Sequence, residues 1–311
     1  MSPAPAVGVM YRRHRPPEAL AEYARLVEVE GFDELWVVED CFWAGGMTAA
    51  SVALAVTGRL RVGFGIAPAV ARNVAVTAMD TAGLARMFPG RFTLGIGHGV
   101  ADWMHQIGAF PGSQLAALEE TIDVLRRLFA GERVSLDGRH VHLDDVQLVF
   151  PPDPAPPVLL GATGPKSLDV AARVADGLML PEGSSPAYVR AAVERARREG
   201  VTPACPVYVL FAVDDDAAVA RAAVADELDR FAPGPGDQRL ALLGIDPGDV
   251  PAPGTIGRAE RFAAAGTPAD CAAALRRLAD AGATSVVLVP HGDEDEQVRR
   301  AAREVLPLLR G

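Results

Sequence analysis

Short apolar runs alternate with amphipathic helical patterns through most of the chain, and this alternation limits the folds that it can adopt. Two strands separated by a helix usually lie parallel and are joined by a right-handed crossover, so the pattern predicts a parallel sheet covered by helices. We count eight strand-then-helix units in strict order. A closed (β/α)8 TIM barrel needs this number, whereas an open doubly wound sheet usually has about five or six strands. We therefore predict a (β/α)8 TIM barrel that occupies residues 1–311 as a single domain.

Two segments interrupt the alternation and indicate insertions after strands 4 and 7. The predicted strands cover residues 6–11, 34–38, 60–68, 91–97, 157–161, 177–180, 206–213 and 285–290. Before the fifth strand, residues 133–157 contain two apolar runs on either side of Asp137-Gly138, which is typical of a β-hairpin. Before the eighth strand, residues 232–265 are rich in proline and glycine and too long for an ordinary connection, so we expect a lid or an insertion there.

Charge and cysteine content disfavour several classes of protein. The formal net charge is −10, from 30 basic and 40 acidic residues, which argues against binding to nucleic acid. The acidic runs 214–216 and 293–296 are expected to begin solvated helices. Three scattered cysteines fit a reducing compartment better than a disulfide framework or a metal site. Because every long apolar stretch is broken by a charge or a helix breaker, we expect a cytoplasmic protein without a membrane segment.

The carboxyl ends of the strands are where the active site of a (β/α) barrel lies. Residues at these ends are Tyr11, Arg12, Glu39, Asp40, 66–68, 97–99, 162–164, Pro181, Glu182, Phe211 and His291. Glu39 and Asp40 are adjacent, so at most one is expected to face the pocket as a proton donor or hydrogen-bond anchor, and a surface pair is the alternative. His98 stands between two glycines, where a ligand contact competes with a purely structural role.

The turn that leaves the predicted fifth strand is a candidate phosphate site. It reads Gly-Ala-Thr-Gly-Pro-Lys-Ser over residues 161–167, and Pro165 stands in the first turn of the following helix. Free backbone N–H groups at such a helix start bind anions, and Lys166 adds positive charge. The alternative is that Gly164 and Pro165 only shape a tight turn. Glycines 63, 65, 95, 97 and 99 similarly either let a flat ring approach the backbone or allow close packing inside the barrel.

Four segments resemble the luciferase-like monooxygenase superfamily. They are residues 31–36 (GFDELW), 61–66 (RVGFGI), 91–99 (RFTLGIGHG) and 157–177 (PVLLGATGPKSLDVAARVADG). The resemblance covers roughly residues 6–185 and is closest to the coenzyme F420-dependent oxidoreductases, which include methylenetetrahydromethanopterin reductases, mainly through the Gly-Pro-Lys turn. A sibling group uses FMN.

The resemblance implies a role for each motif residue. Gly65-Ile66 would form the family's bulge, often a non-proline cis peptide, against the back of the coenzyme ring. Glu39 and Asp40 would line the polar edge of the ring, and His98 and Gly99 would contact the ring or the ribityl chain. The phosphate would be held by Thr163, Gly164, Pro165 and Lys166. Some sugar-phosphate-oxidising members have histidine where Asp40 stands and glutamate where Val100 stands, so oxidation of a sugar phosphate is not expected here.

We therefore predict an oxidoreductase that uses F420 to transfer a hydride to or from a small organic substrate, with Asp40 or His98 assisting proton movement. The alternatives are an FMN-dependent monooxygenase that uses reduced flavin and O2, and a non-catalytic coenzyme-binding paralogue. No metal is expected. The resemblance also implies a homodimer.

Overall fold

The computed structural model describes residues 5–311, and eleven strands lie within them. In chain order they are β1 (Ala6–Tyr11), β2 (Glu34–Val37), β3 (Arg61–Pro68), β4 (Phe92–Gly97), β5 (Val134–Asp137), β6 (His142–Val146), β7 (Val158–Gly161), β8 (Gly177–Met179), β9 (Pro206–Val213), β10 (Ala263–Gly266) and β11 (Ser285–Pro290). Nine of them form one sheet in the order β10-β9-β11-β1-β2-β3-β4-β7-β8, with every pair parallel. The predicted parallel α/β architecture is therefore confirmed.

Helices connect consecutive strands and cover the sheet. They are α1 (Leu20–Val29), α2 (Gly46–Val56), α3 (Val74–Met87), α4 (Ala101–Gln106), α5 (Gln114–Phe129), α6 (Pro165–Val174), α7 (Pro186–Ala196), α8 (Ala217–Phe231), α9 (Gln238–Leu243), α10 (Ile256–Phe262), α11 (Pro268–Asp280), α12 (Glu294–Arg300) and α13 (Leu306–Arg310). Short 3-10 helices cover Pro17–Ala19 and Pro247–Asp249, and a π-helical turn covers Ala301–Val305. None of the helices in residues 5–311 is long and apolar enough to cross a membrane.

The sheet is curled, and its last strand meets the beginning of β9. Isolated parallel bridges pair Gly177 with Ala204 and Leu180 with Val207. The Leu180 N–H donates to the Pro206 carbonyl at 3.0 Å, and the Tyr208 N–H donates to the Leu180 carbonyl at 2.9 Å. The carboxyl ends of strands from β1 to β11 consequently gather at one end of the curled sheet.

The core explains why these segments form strands and helices. Every residue of β9 and β11 is buried, as expected for strands covered on both faces. On α5, Leu118, Ile122 and Leu125 recur on one face and are fully buried, and Ser113 caps the helix by accepting a hydrogen bond from the Ala116 N–H. Burial of one such apolar side chain contributes roughly 1.5–3 kcal/mol.

The prediction of eight sheet strands was wrong by one, because β10 lies at the end of the segment predicted to be a lid or an insertion. It pairs with β9 from Ala263↔Leu210 to Gly266↔Val213. Its sequence, three alanines and a glycine, contains none of the β-branched or aromatic residues that mark a strand. β10 is stabilised by its burial between α8, α10 and α11, and not by the strand propensity of its own residues.

The predicted hairpin is confirmed as an antiparallel pair outside the main sheet. β5 pairs with β6 from Val134↔Val146 to Asp137↔His142. Glu120 of α5 accepts hydrogen bonds from the N–H groups of Arg139, His140 and Val141, at 2.8 to 2.9 Å, and so fixes the turn.

Candidate functional site

A cavity of about 350 Å3 opens at the carboxyl ends of the strands, and we call it the central cavity. It is lined by residues that lie in β3, β4, β7 and β8 or follow β2, β4, β7 and β8, together with Met10 of β1, Tyr208 of β9, Trp103 of α4 and Phe231 of α8. Seven of the predicted site residues line it, namely Glu39, Asp40, Gly65, Ile66, His98, Gly99 and Thr163. Gly164, Pro165 and Lys166 do not belong to its lining. The structure therefore brings most of the predicted residues together and leaves the helix end of the phosphate turn outside.

The Gly65–Ile66 segment of β3 forms one wall. Its peptide bond is cis, and the register between β3 and β4 shifts between Phe64 and Ala67, so the expected bulge is confirmed as backbone geometry. A Cβ on Gly65 would lie 2.2 Å from Met179 Cε and 2.4 Å from Tyr208 Oη. Glycine is therefore required here because two side chains pack directly behind the bulge.

The other four glycines in β3, in β4 and just after β4 differ in their surroundings, because some line the central cavity and others are closely packed inside the sheet. Gly97 and Gly99 line the central cavity beside Gly65. In contrast, a Cβ on Gly63 would lie 2.2 Å from Trp36 Cε3, and one on Gly95 would lie 2.3 Å from Met179 Sδ. Close packing inside the sheet accounts for Gly63 and Gly95.

Glu39 and Asp40 are each held by an arginine. Both Glu39 carboxylate oxygens accept hydrogen bonds from Arg72 at 2.5 Å, and Oε2 also accepts from the Gly46 N–H at 2.9 Å. Glu39 therefore joins the end of β2 to the start of α2 and to the loop after β3. Asp40 Oδ2 accepts a hydrogen bond from Arg13 Nη1 at 2.8 Å. Ion-paired carboxylates in this arrangement act as acceptors.

His98 has an incomplete hydrogen-bonding shell. Its Nε2 lies 3.5 Å from Ser167 Oγ in the first turn of α6. Its Nδ1 is buried, and no partner for it occurs within residues 5–311. Burial lowers the pKa of His98, so the ring is neutral at pH 7. A bound group that supplies a partner for Nδ1 would satisfy this atom.

The predicted phosphate turn is formed but covered. α6 begins at Pro165, and no side chain caps its first turn. Tyr188 Oη donates to the Thr163 carbonyl at 2.7 Å and so fixes the turn from α7. A Cβ on Gly164 would lie 1.6 Å from Gln238 Oε1, because α9 packs against this side of the turn. The side chain of Gln238 thus occupies space next to the uncapped N–H groups.

Sequence reasoning missed Glu182 and Tyr208 as site residues. Glu182 was recognised only as lying at a strand end, since no motif surrounds it. It lines the central cavity, and burial raises its pKa to about 7, with the nearby charges of Glu227 and Asp40 acting in the same direction. Tyr208 lies inside an unbroken apolar strand, where sequence gives no sign of which residue faces the cavity. Its Oη lies 3.5 Å from the Gly65 carbonyl oxygen.

A buried ionic cluster joins the ends of β1 and β11 to α8. Glu227 is bonded to Arg12 and to His291 Nε2, and His291 Nδ1 contacts the Val289 carbonyl at 2.9 Å. The hydrogen bond from His291 and the charge of Arg12 lower the pKa of Glu227 to about 2. Arg12 and His291, both recognised as strand-end residues, therefore serve this cluster.

Glu294 corrects the expectation that residues 293–296 form a solvated run. It is 7 % exposed, and its carboxylate lies 2.8 Å from His14 Nε2 and 3.2 Å from Arg15 Nη1. The His14 and Arg15 side chains that contact this carboxylate come from the loop after β1, which is distant in sequence. Within the part of the chain from residue 5 onward, no group of three or more metal-binding side chains is arranged to hold an ion.

Known proteins resemble this chain over nearly its whole length, in sequence and in fold. One relative, the 5,10-methylenetetrahydromethanopterin reductase of Methanolobus tindarius, is 28% identical over 96% of this chain and 99% of its own. The F420-dependent tetrahydromethanopterin reductase of Methanopyrus kandleri has a similar structure, with a TM-score of 0.83, 21% identity and coverage of 98% and 99%. An F420-dependent secondary alcohol dehydrogenase in complex with an F420-acetone adduct has a TM-score of 0.82, 23% identity and coverage of 99% and 100%.

The two structural similarities concern the fold, because the sequence identities are low. The model of the luciferase-like monooxygenase family matches residues 3–285, which is most of the chain. The resemblance carried by the four sequence segments is thereby confirmed. The chain belongs to the luciferase-like monooxygenase family.

Proposed function

We propose that this protein is an F420-dependent oxidoreductase that transfers a hydride to or from a small organic substrate in the central cavity. The observation that carries the proposal is the position of the cavity, which lies at the carboxyl ends of the strands and against the Gly65–Ile66 bulge. Two relatives described as F420-dependent glucose-6-phosphate dehydrogenases, 29% and 27% identical over 94% of this chain, support the choice of coenzyme.

The residues of the cavity fit a flat ring with a phosphorylated side chain. The ring would lie on Gly65 and Ile66, with its polar edge towards Glu39 and Asp40, and His98 would use its unpartnered Nδ1 beside the side chain. The phosphate would be held at residues 163–166, where the first turn of α6 is uncapped. Gln238 would have to move from Gly164 for this contact to form. When bound, the coenzyme supplies the hydride chemistry, and the protein supplies orientation and electrostatics.

The substrate of the proposed reaction is uncharged and largely apolar. Among the lining residues of the described chain there is no lysine or arginine, whereas three carboxyl groups, those of Glu39, Asp40 and Glu182, are present. An anionic substrate would therefore find no lysine or arginine in this lining to bind it. Val100 and Trp103 form an apolar side of the opening. The absence of a lysine or arginine from the lining, together with this apolar side, disfavours binding of a sugar phosphate and favours binding of a small neutral molecule.

Asp40 and His98 have different roles in the proposed reaction. Asp40, paired with Arg13, orients groups by accepting hydrogen bonds. His98 is neutral and is suited to donate or accept a hydrogen bond rather than to carry a charge. Both line the same cavity as the Gly65–Ile66 bulge.

We also infer that the curled sheet is a closed (β/α)8 TIM barrel with insertions after strands 4 and 7, and that the chain forms a single domain. The hydrogen bonds between the residue after β8 and the start of β9 support closure of the barrel.

We also propose that the chain forms a homodimer. On α3, the side chains of Val76, Met79 and Met87 are 45%, 59% and 64% exposed and lie on one helix face. Sedimentation of the protein would test this, because a monomer at all concentrations would contradict it.

Titration of the purified protein with F420 and, separately, with FMN tests the coenzyme assignment. We expect saturable, stoichiometric binding of F420 and none of FMN, followed by a change in the F420 absorbance when small ketones or alcohols are added. Binding of FMN with consumption of O2 would instead support a monooxygenase. Stoichiometric F420 binding without turnover across a broad substrate panel would support a non-catalytic paralogue. The variant Gly65→Val, whose side chain would clash with Met179 and Tyr208 behind the bulge and displace it, should lose F420 binding.

A further inference from the structure

The backbone around Glu182 is rigidly held beside the central cavity. Arg239 Nη1 donates to the Glu182 carbonyl at 2.9 Å, and Arg239 Nη2 donates to the Phe231 carbonyl at 2.7 Å. The next residue, Gly183, has a φ of +74°, and a Cβ there would lie 2.4 Å from the Phe231 oxygen. Ser184 Oγ donates to the Pro181 carbonyl at 2.7 Å. The fold therefore fixes the point from which the Glu182 side chain enters the cavity.

Glu182 differs from the other carboxyl groups near the cavity because it has no cation of its own. Asp40 is paired with Arg13, Glu39 with Arg72, and Glu227 with Arg12. Within residues 5–311, no side chain forms an ion pair with Glu182 or donates a hydrogen bond to its carboxyl group. A carboxyl group in such a place is free to hold a proton and to hand it to a ligand.

The charges that face Glu182 come from several elements. Glu227 of α8 and Asp40 after β2 oppose ionisation, and Arg12 after β1 favours it. Tyr208 of β9 adjoins the same wall, and its own pKa is raised far above the usual value, first by burial and then by the charge of Glu182. The neighbouring Arg239 is occupied by Asp237 and by backbone carbonyls. Burial, together with the two carboxylates, outweighs the hydrogen bond from the Glu182 backbone N–H and the charge of Arg12, and raises the pKa of Glu182 to about 7.

We propose that Glu182 is the group that exchanges a proton with the substrate as the hydride moves. This inference rests on the proposed hydride-transfer function. In the direction of carbonyl reduction, a hydride supplied by reduced F420, which is thereby oxidised, brings two electrons to the carbonyl carbon and forms the C–H bond. The C=O π bond breaks, its electron pair passes to the oxygen, and that oxygen takes the proton from Glu182. Glu182 leaves the step as a carboxylate and regains a proton from water, and in alcohol oxidation it accepts the hydroxyl proton instead.

The first test measures Glu182 in the protein without coenzyme. In a 13C NMR titration of protein labelled at glutamate carboxyl carbons, we expect one resonance to titrate near pH 7 and to be missing in Glu182→Gln. Glu199→Gln, at an exposed residue of the same chain, is the matched control and should leave that resonance in place. A Glu182 resonance that titrates at the usual value for glutamate would overturn the proposal. This result does not depend on F420, so it is separable from a failure of the proposed function.

The second test measures the pH dependence of the reaction. In carbonyl reduction, the wild-type kcat should fall as pH rises through about 7, because the protonated form of Glu182 is lost. Glu182→Gln should lose that limb and reduce kcat by about 100-fold or more, with a smaller effect on KM. Glu182→Asp should restore part of the rate and the limb. A uniform decrease at every pH in Glu182→Gln, with the limb retained, would assign Glu182 a structural role only.

Discussion

Replacement of Glu227 by glutamine should destabilise the protein by about 3 kcal/mol at pH 7. The pKa of Glu227 is lowered from its ordinary value of 4.5 to about 2, first by the hydrogen bond from His291 and then by Arg12. A difference of about 2.5 pKa units at about 1.36 kcal/mol per unit gives the magnitude. The side chain is 23% exposed, so solvent screens the interaction only in part. Loss of the carboxylate also leaves Arg12 and His291 without their main partner.

Urea unfolding of the wild type and Glu227→Gln as a function of pH measures this directly. Because the folded-state pKa is depressed, the stabilisation is fully present above pH 4.5 and declines as pH falls towards 2. The difference in free energy of unfolding should therefore be present at pH 5 and shrink below pH 4.5. Glu199→Gln, at an exposed residue, is the control and should change stability by less than about 0.5 kcal/mol. A difference in the free energy of unfolding below about 1 kcal/mol at pH 7 would show that Arg12 and His291 do not stabilise the Glu227 carboxylate to the expected extent.

Three further substitutions test packing and the covered turn. Gly95→Ala should destabilise by about 1–3 kcal/mol in urea unfolding, because its Cβ would meet Met179 at 2.3 Å, whereas Gly83→Ala, in an open position on α3, should stabilise by about 0.5–1 kcal/mol. Equal effects of the two would contradict the packing argument. Gln238→Ala should strengthen F420 binding several-fold in a fluorescence titration by freeing the space beside Gly164, and unchanged or weaker binding would show that Gln238 does not compete with the phosphate.

The sequence was sufficient to locate the strands that carry the site because their signals are local. Continuous apolar runs such as 206–213 are fully buried in the sheet, and the residues that follow each run arrive at the same end. The adjacency of Glu39 and Asp40 led us to expect that at most one would face the pocket, and this was wrong, because both line the central cavity, each paired with a different arginine. The Gly65–Ile66 bulge came from the family resemblance and has the expected cis geometry.

The remaining features depend on contacts between distant segments. The strand at Ala263–Gly266 has no strand propensity and exists because β9 offers an edge and three helices cover it. Glu294 is buried because Arg15 and His14 come from the other end of the chain. The raised pKa of Glu182 results from burial and from charges on α8 and after β2, and no pattern near residue 182 records these. Gln238 likewise reaches Gly164 only through the folding of residues 232–243.

A crystal structure of the complex with F420 would show directly whether the coenzyme binds in the central cavity. We expect the ring to rest on Gly65 and Ile66 and the phosphate to lie at residues 163–166. We also expect Gln238 to have moved away from Gly164. A coenzyme bound at any other place, with the central cavity free of it, would contradict the account.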